Sequence, residues 1–137
     1  LIIRTNFTGR RYKKGNSFSD WIFKNAIKNK KLTLFNDMFT STLDVKTCAK
    51  LIVLISLKNL SGIYNLGTRD TFSKKKFAIK FLNKLGKKFR YEETSCDKLN
   101  VKRPKNLILD VRKIENKLKV KLPTQIQTIN NLAKEYK

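Results

Sequence analysis

Two short stretches carry the side chains best suited to holding an anionic organic ligand. Arg103-Pro104-x-Asn106 places a planar guanidinium, a group that makes paired charge-assisted bonds to phosphate oxygens, beside a proline that stiffens the turn. Arg4-Thr5-Asn6-Phe7-x-Gly9 closes an apolar strand, so that Asn6 and Phe7 stand at the edge where ligands sit in open α/β sheets. Phe7 can pack on a sugar face but offers no hydrogen bond. Each has a plainer reading on composition alone: Arg103 as an exposed arginine in a basic loop, Phe7 as core at a strand end. Asn106 and Asp110 suit the organisation of a turn and the capping of the next helix at least as well as ligand contact.

Other chemistries find no residues. The chain has no His and two isolated cysteines, Cys48 and Cys96, so it holds no zinc-ligand spacing and no Ser-His or Cys-His nucleophile. Cys48 falls among Val45, Ala49, Leu51 and Ile52 and reads as a core thiol, whereas Cys96 follows Thr94-Ser95 in a polar stretch.

The elements that must position these groups alternate between strand and helix. Residues 1–3 read as a strand with no earlier segment to pair against, which predicts that part of its sheet lies upstream and that its apolar face is exposed. A basic loop over 10–16 turns at Gly15-Asn16. Ser17 caps a helix over 18–29 with Phe18, Trp21, Ile22 and Ala26 on one face. A strand over 32–35, a turn at Asn36-Asp37 and an extended run over 39–43 follow. Asp44 then caps a helix over 45–57 whose apolar face is Val45, Cys48, Ala49, Ile52 and Ile55. Next come a strand over 62–67 and a helix capped by Ser73, with Ala78, Phe81, Leu82 and Leu85 in line and Gly86 at its end. The spacing predicts a short strand at 89–91, an irregular stretch over 94–106 and a strand at 107–109. Asp110 caps a helix carrying Ile114 and Leu118, and Thr124 caps a last one with Ile126, Ile129, Ala133 and Tyr136. The fold class is α/β, in one domain.

The 137 residues carry 32 basic against 10 acidic side chains, a formal charge of +22, with lysine well ahead of arginine overall and basic residues spread along the whole chain. Such a charge favours anionic ligands, diphosphates included, but its even spread describes a solvated surface rather than a nucleic-acid stripe. The aromatics Phe18, Trp21, Phe77 and Phe81 fall on apolar stripes, which disfavours a nucleic-acid-binding module. No apolar run approaches the roughly 18 residues of a bilayer span; the longest, 51–57, is broken by Ser56.

Three pieces in order make a more specific pattern. They are Arg4-Thr5-Asn6-Phe7-x-Gly9; Leu34-Phe35-x-Asp37-x-Phe39-x-Ser41-Thr42-Leu43-x-Val45 with Gly62-Ile63-Tyr64-Asn65-Leu66-Gly67; and Arg103-Pro104-x-Asn106-x-x-Leu109-Asp110 with Leu122-Pro123. Across all 137 residues the succession resembles the C-terminal, substrate-binding half of an extended short-chain dehydrogenase/reductase, nearest the dTDP-4-dehydrorhamnose reductase-like sugar-nucleotide reductases. The resemblance implies a Rossmann-type α/β protein whose missing N-terminal half binds NADH or NADPH and supplies a Tyr-x-x-x-Lys pair. This chain has neither a Gly-rich phosphate turn nor such a pair, since Asn16, Thr68 and Ser95 stand four residues after Tyr12, Tyr64 and Tyr91. Alone it should therefore be inactive. The resemblance further implies a nucleotide-sugar substrate, a cytoplasmic setting and a homodimer. It assigns substrate contact to Asn6, Phe7, Arg103 and Asn106, with Arg103 on the diphosphate. The family's Ser-Pro is Ser41-Thr42 here and a common Asp is Thr47, departures that bear on loop geometry and substrate identity. An epimerase or dehydratase of the same superfamily, a nucleic-acid module and a non-catalytic nucleotide-binding relative are the alternatives.

Overall fold

The computed structural model describes residues 1–11 and 16–137, so Tyr12 and the Gly15 of the expected turn lie outside the described residues. Strand β1 (Ile2–Thr5) runs into the short β2 (Phe7–Thr8), then α1 (Phe18–Ile27) and β3 (Leu32–Phe35). The short strands β4 (Phe39–Thr40) and β5 (Leu43–Asp44) lead into α2 (Val45–Ser56), and β6 (Ile63–Leu66) follows. Strand β7 (Phe72–Ser73) opens α3 (Lys74–Lys84); β8 (Tyr91–Thr94), β9 (Asn106–Leu107), α4 (Arg112–Leu118) and α5 (Gln125–Ala133) complete the chain. Pairings are parallel for β1–β6, β2–β5, β3–β8 and β4–β9, and antiparallel for β4–β7. Helices therefore serve as the crossovers between parallel strands, which is the α/β class expected.

Helix starts follow the sequence closely because the capping side chains are local. Ser17 and Asp20 form a reciprocal capping box on α1, and Thr124 and Gln127 another on α5. Asp44 accepts from the Thr47 N–H and Ser73 from the Lys76 N–H. Gly86 stops α3 with φ +63°, the left-handed conformation that glycine adopts without strain.

Two cores result. In one, α1, β3, α3 and α5 enclose Ile22, Leu34, Phe77, Phe81 and Leu132, with the Phe81 ring edge-on to Tyr136 at 5.2 Å. In the other, Leu43, Cys48, Ile55, Leu66, Ile114 and Leu122 join α2 and α4 to β6. Phe77 and Phe81 are thus packed inside rather than held out for stacking on bases.

Several expectations need correction. Residues 1–3 do have a partner, since Ile2 pairs with Ile63 and Ile3 with Tyr64. The apolar exposure foreseen there is nevertheless present, with Leu1 and Ile2 more than half exposed and Ile63 beside them 43% exposed. Helix α2 is rotated from its expected stripe: Ala49 and Ile52 face out, while Cys48, Leu51, Leu54 and Ile55 face in. The helix is apolar over much of its circumference, so periodicity left two overlapping stripes that share Cys48 and Ile55, and packing in the cluster with Leu66 and Ile114 buries the one that adds Leu51 and Leu54. Strand β8 starts at Tyr91 instead of residue 89, because Leu32 pairs with Tyr91 while Phe89 turns to the core. On α5 Ile126 is 43% exposed and Leu132 takes its expected place inside. Asp110 is not the cap of α4; Val111 holds that position and Asp110 accepts from the Arg112 N–H and guanidinium. Cys96, expected in a polar stretch, is 2% exposed, and both cysteines are free thiols.

The large positive charge also has a structural side. Asp20, Asp37, Asp44, Asp70, Asp110, Glu115 and Glu135 each accept a hydrogen bond from a backbone N–H. The remaining acids, Glu92, Glu93 and Asp97, pair with Lys31, Lys75 and Lys105. Acidic side chains stand where the backbone or a lysine needs an acceptor.

Candidate functional site

The carboxyl end of β1 meets the β9 segment in an open cleft of about 460 Å³ lined by Arg4, Thr5, Asn6, Phe7, Leu107 and Leu109. Asn6 bridges β1 and β2, and its carbonyl accepts from the Leu43 N–H at 2.9 Å, so the crossing is fixed by the backbone. Phe7 is 55% exposed, which sets aside its reading as strand-end core. Phe7 also lines a smaller hollow of about 250 Å³ bounded by Gly9, Arg10, Arg11, Ser17 and Val45.

A buried polar network holds the backbone just after Phe7. The Tyr136 hydroxyl donates to Asp20 Oδ1 at 2.7 Å and lies 2.9 Å from Ser19 Oγ, which is 3.0 Å from Thr8 Oγ1. Asp20 Oδ2 accepts from the N–H groups of Arg11 and Ser17, and the Ser17 hydroxyl donates to the Gly9 carbonyl at 2.5 Å. Burial pushes the Asp20 carboxyl up, but the bonds from Tyr136, Ser17 and Arg11 outweigh it and leave the group below its ordinary value. Burial likewise pushes the Tyr136 hydroxyl far above its ordinary value, so it is a fixed donor at any physiological pH.

Arg103 does not share the cleft of Asn6 and Phe7. It is exposed in the 95–105 loop, where Asp97, Leu99, Lys102, Arg103, Pro104 and Lys105 border a hollow of about 590 Å³. Asn106 stands between the two places, on β9 opposite Phe39, and its Oδ1 accepts from the Ile108 N–H at 3.0 Å. The structure therefore brings Asn6 and Phe7 together, ties Asn106 into the turn beside them and sets Arg103 in the neighbouring hollow.

Two features escaped the sequence reading. Arg4 lines the strand-end cleft, and the signal for it was its place two residues before Asn6, on the outer face of β1 with Ile2. Asp37 is the other. Its Oδ2 accepts from the Ser95 hydroxyl at 2.6 Å and lies 3.2 Å from the Lys105 ammonium, while Oδ1 accepts from the Cys96 N–H at 2.9 Å. The Ser95 hydroxyl, then the Cys96 N–H and Lys105, hold its carboxyl well below the usual carboxylate range. Asp37, Cys96 and Asp97 place ligating atoms within 4.8 Å of one another, but Lys105 already supplies a cation there, paired with both carboxylates.

Comparison with curated protein sequences gives no match. Solved structures do match. dTDP-4-dehydrorhamnose reductase from Bacillus anthracis str. Ames, in complex with NADP, aligns over 99% of this chain and 48% of its own, at 20% identity and a TM-score of 0.86. The Yersinia enterocolitica dTDP-4-dehydrorhamnose reductase aligns over 99% of this chain and 49% of its own, at 15% identity and 0.85. A Bacillus cereus UDP-glucuronic acid 4-epimerase aligns over all of this chain and 46% of its own, at 18% identity and 0.72. At these identities the likeness establishes the fold, and the chain spans about half the length of each of these structures. Among the described residues no helix is long and apolar enough to cross a membrane. A family model described as the RmlD substrate binding domain matches residues 1–137 from end to end, and the chain belongs to that family.

Proposed function

We propose that residues 1–137 are the sugar-nucleotide-binding part of an NAD(P)-dependent oxidoreductase that reduces a 4-keto sugar linked to a nucleoside diphosphate. The observation that carries this reading is the family match over the whole chain, joined to a strand-end cleft that displays Arg4, Asn6 and Phe7. The higher TM-scores of the reductases, 0.85 and 0.86 against 0.72 for the epimerase, favour reduction over epimerisation.

A nicotinamide supplies hydride in such a reaction. This chain's residues do not fit that cofactor, because the sequence contains no G-x-x-G-x-x-G pattern and no Tyr precedes a Lys by four positions. Holding it would fall to residues outside the chain, and by itself the segment reduces nothing. The exposed apolar face of Leu1, Ile2 and Ile63 supports a partner half packed there. What these residues do in the reaction is bind and orient. Phe7 covers one sugar face and excludes water from it, and Asn6 holds the sugar at the strand end. Asn106 shapes the turn and turns its amide nitrogen to the ligand. Arg103 pairs with the diphosphate. We place the protein in the cytoplasm as a homodimer, with the nucleotide sugar as its small-molecule partner.

The test is oxidation of NADPH or NADH in the presence of a dTDP-linked 4-keto sugar. Turnover is expected from a protein carrying both halves and none from residues 1–137. Turnover by this segment alone, or none by the longer protein, overturns the reading. Arg103→Ala is expected to weaken binding of the nucleotide sugar by about 1–3 kcal/mol, the scale of a lost charged hydrogen bond, measured by calorimetry. An unchanged affinity removes Arg103 from the site.

A further inference from the structure

We infer that Asp37 is a positioning residue: by gripping both ends of the 95–105 loop it sets Arg103 and Lys102 where they meet the diphosphate. The inference rests on the reading of Arg103 given above. At the start of the loop, the Ser95 hydroxyl and the Cys96 N–H donate to opposite oxygens of the Asp37 carboxylate, at 2.6 and 2.9 Å. At its end the Lys105 ammonium returns to the same carboxylate at 3.2 Å, while the Phe39 N–H donates to the Lys105 carbonyl at 2.7 Å. One side chain in the turn after β3 thus closes a loop whose own interior has little regular structure beyond the single helical turn Cys96–Lys98.

The charges divide accordingly. Lys105 is engaged by Asp37 and Asp97, whereas Lys102 and Arg103 have no ion pair among the described residues and line the same hollow. The cations left for an anion are therefore those at the loop's far side, and their placement depends on the ends being fixed. An untethered loop of this length samples many conformations, and ordering it on binding would subtract from affinity. Asp37, held far down the carboxylate range, keeps its grip throughout the neutral region.

The experiment is a double-mutant cycle on the binding of dTDP to the protein by calorimetry, with wild type, Asp37→Asn, Arg103→Ala and the double variant. Amide exchange at Cys96 is followed alongside. Asp37→Asn is expected to weaken dTDP about ten-fold and to speed exchange at Cys96, yet to cost much less in the Arg103→Ala background, where only Lys102 is left to be positioned. A ten-fold loss that persists without Arg103 means a merely structural role and overturns the inference. So does an Asp37→Asn variant that binds as wild type. If Arg103→Ala itself binds normally, or wild type does not bind dTDP, the site reading fails and takes this one with it. Ser95→Ala, which removes only one of the three grips, repeats the test should Asp37→Asn fail to fold, with a several-fold loss expected on the same logic.

Discussion

Replacing Asp20 with Ala is expected to lower folding stability by about 3–4 kcal/mol. The carboxylate is 3% exposed and accepts from three donors: the Tyr136 hydroxyl and the N–H groups of Arg11 and Ser17. Its removal breaks the capping box of α1, worth about 1 kcal/mol, and leaves the buried Tyr136 hydroxyl with Ser19 alone. The consequence reaches the site, because the same network fixes Gly9 and Thr8 behind Phe7. Asp20→Asn keeps the shape but turns one acceptor into a donor facing Tyr136 or the backbone, so an intermediate loss is expected. Denaturant midpoints with an unchanged slope check both; an Asp20→Ala variant within 1 kcal/mol of wild type would show the network to be idle.

The sign of the pH dependence follows from the same group. The folded-state value of Asp20 is depressed, so its contribution to stability is present above the ordinary value of 3.8 and is lost as the pH falls through the folded value. Wild type should lose stability more steeply below pH 4 than Asp20→Asn does. Parallel acid limbs for the two proteins would contradict this.

Gly67→Ala is the second large expectation, a loss of about 1–3 kcal/mol together with weaker ligand binding. A Cβ on Gly67 would stand 2.8 Å from the Ser41 carbonyl oxygen and 3.1 Å from Ser41 Cβ. The first of these is backbone, which cannot rotate aside. Ser41 Oγ also accepts from the Leu109 N–H at 3.2 Å, and Leu109 lines the cleft opposite Asn6 and Phe7. Pushing β6 away from residue 41 therefore opens the floor of the site as well as the core. Gly62 offers the control, since a Cβ there meets nothing within 4 Å. Its φ of +94° makes Ala strained for reasons of backbone alone, with Leu66 and the cleft left in place. If Gly67→Ala melts and binds like wild type, the close approach of β6 to residue 41 has no energetic weight.

What the amino-acid order determined by itself is whatever depends on neighbours a few residues apart. Ser17, Asp44, Ser73 and Thr124 begin helices because each side chain reaches an N–H three residues on, and Gly86 ends one because its φ is positive. The ordered motifs that carry the family resemblance are likewise strings, and they held over the whole chain. Long-range pairing was decided only in three dimensions. Which of two overlapping apolar stripes α2 buries depends on the cluster it joins with Leu66 and Ile114, and where β8 begins depends on its register with Leu32. Arg103 and Asn6 both face open hollows, but different ones, because Asn106 and Leu107 pair with Phe39 and Thr40 between them. Asp37 looks like an ordinary turn residue in the sequence, and only the return of the chain at Ser95, Cys96 and Lys105 makes it a clasp. A side chain's hydrogen-bonding capacity is local, whereas the partner that uses it is set by the closure of the chain.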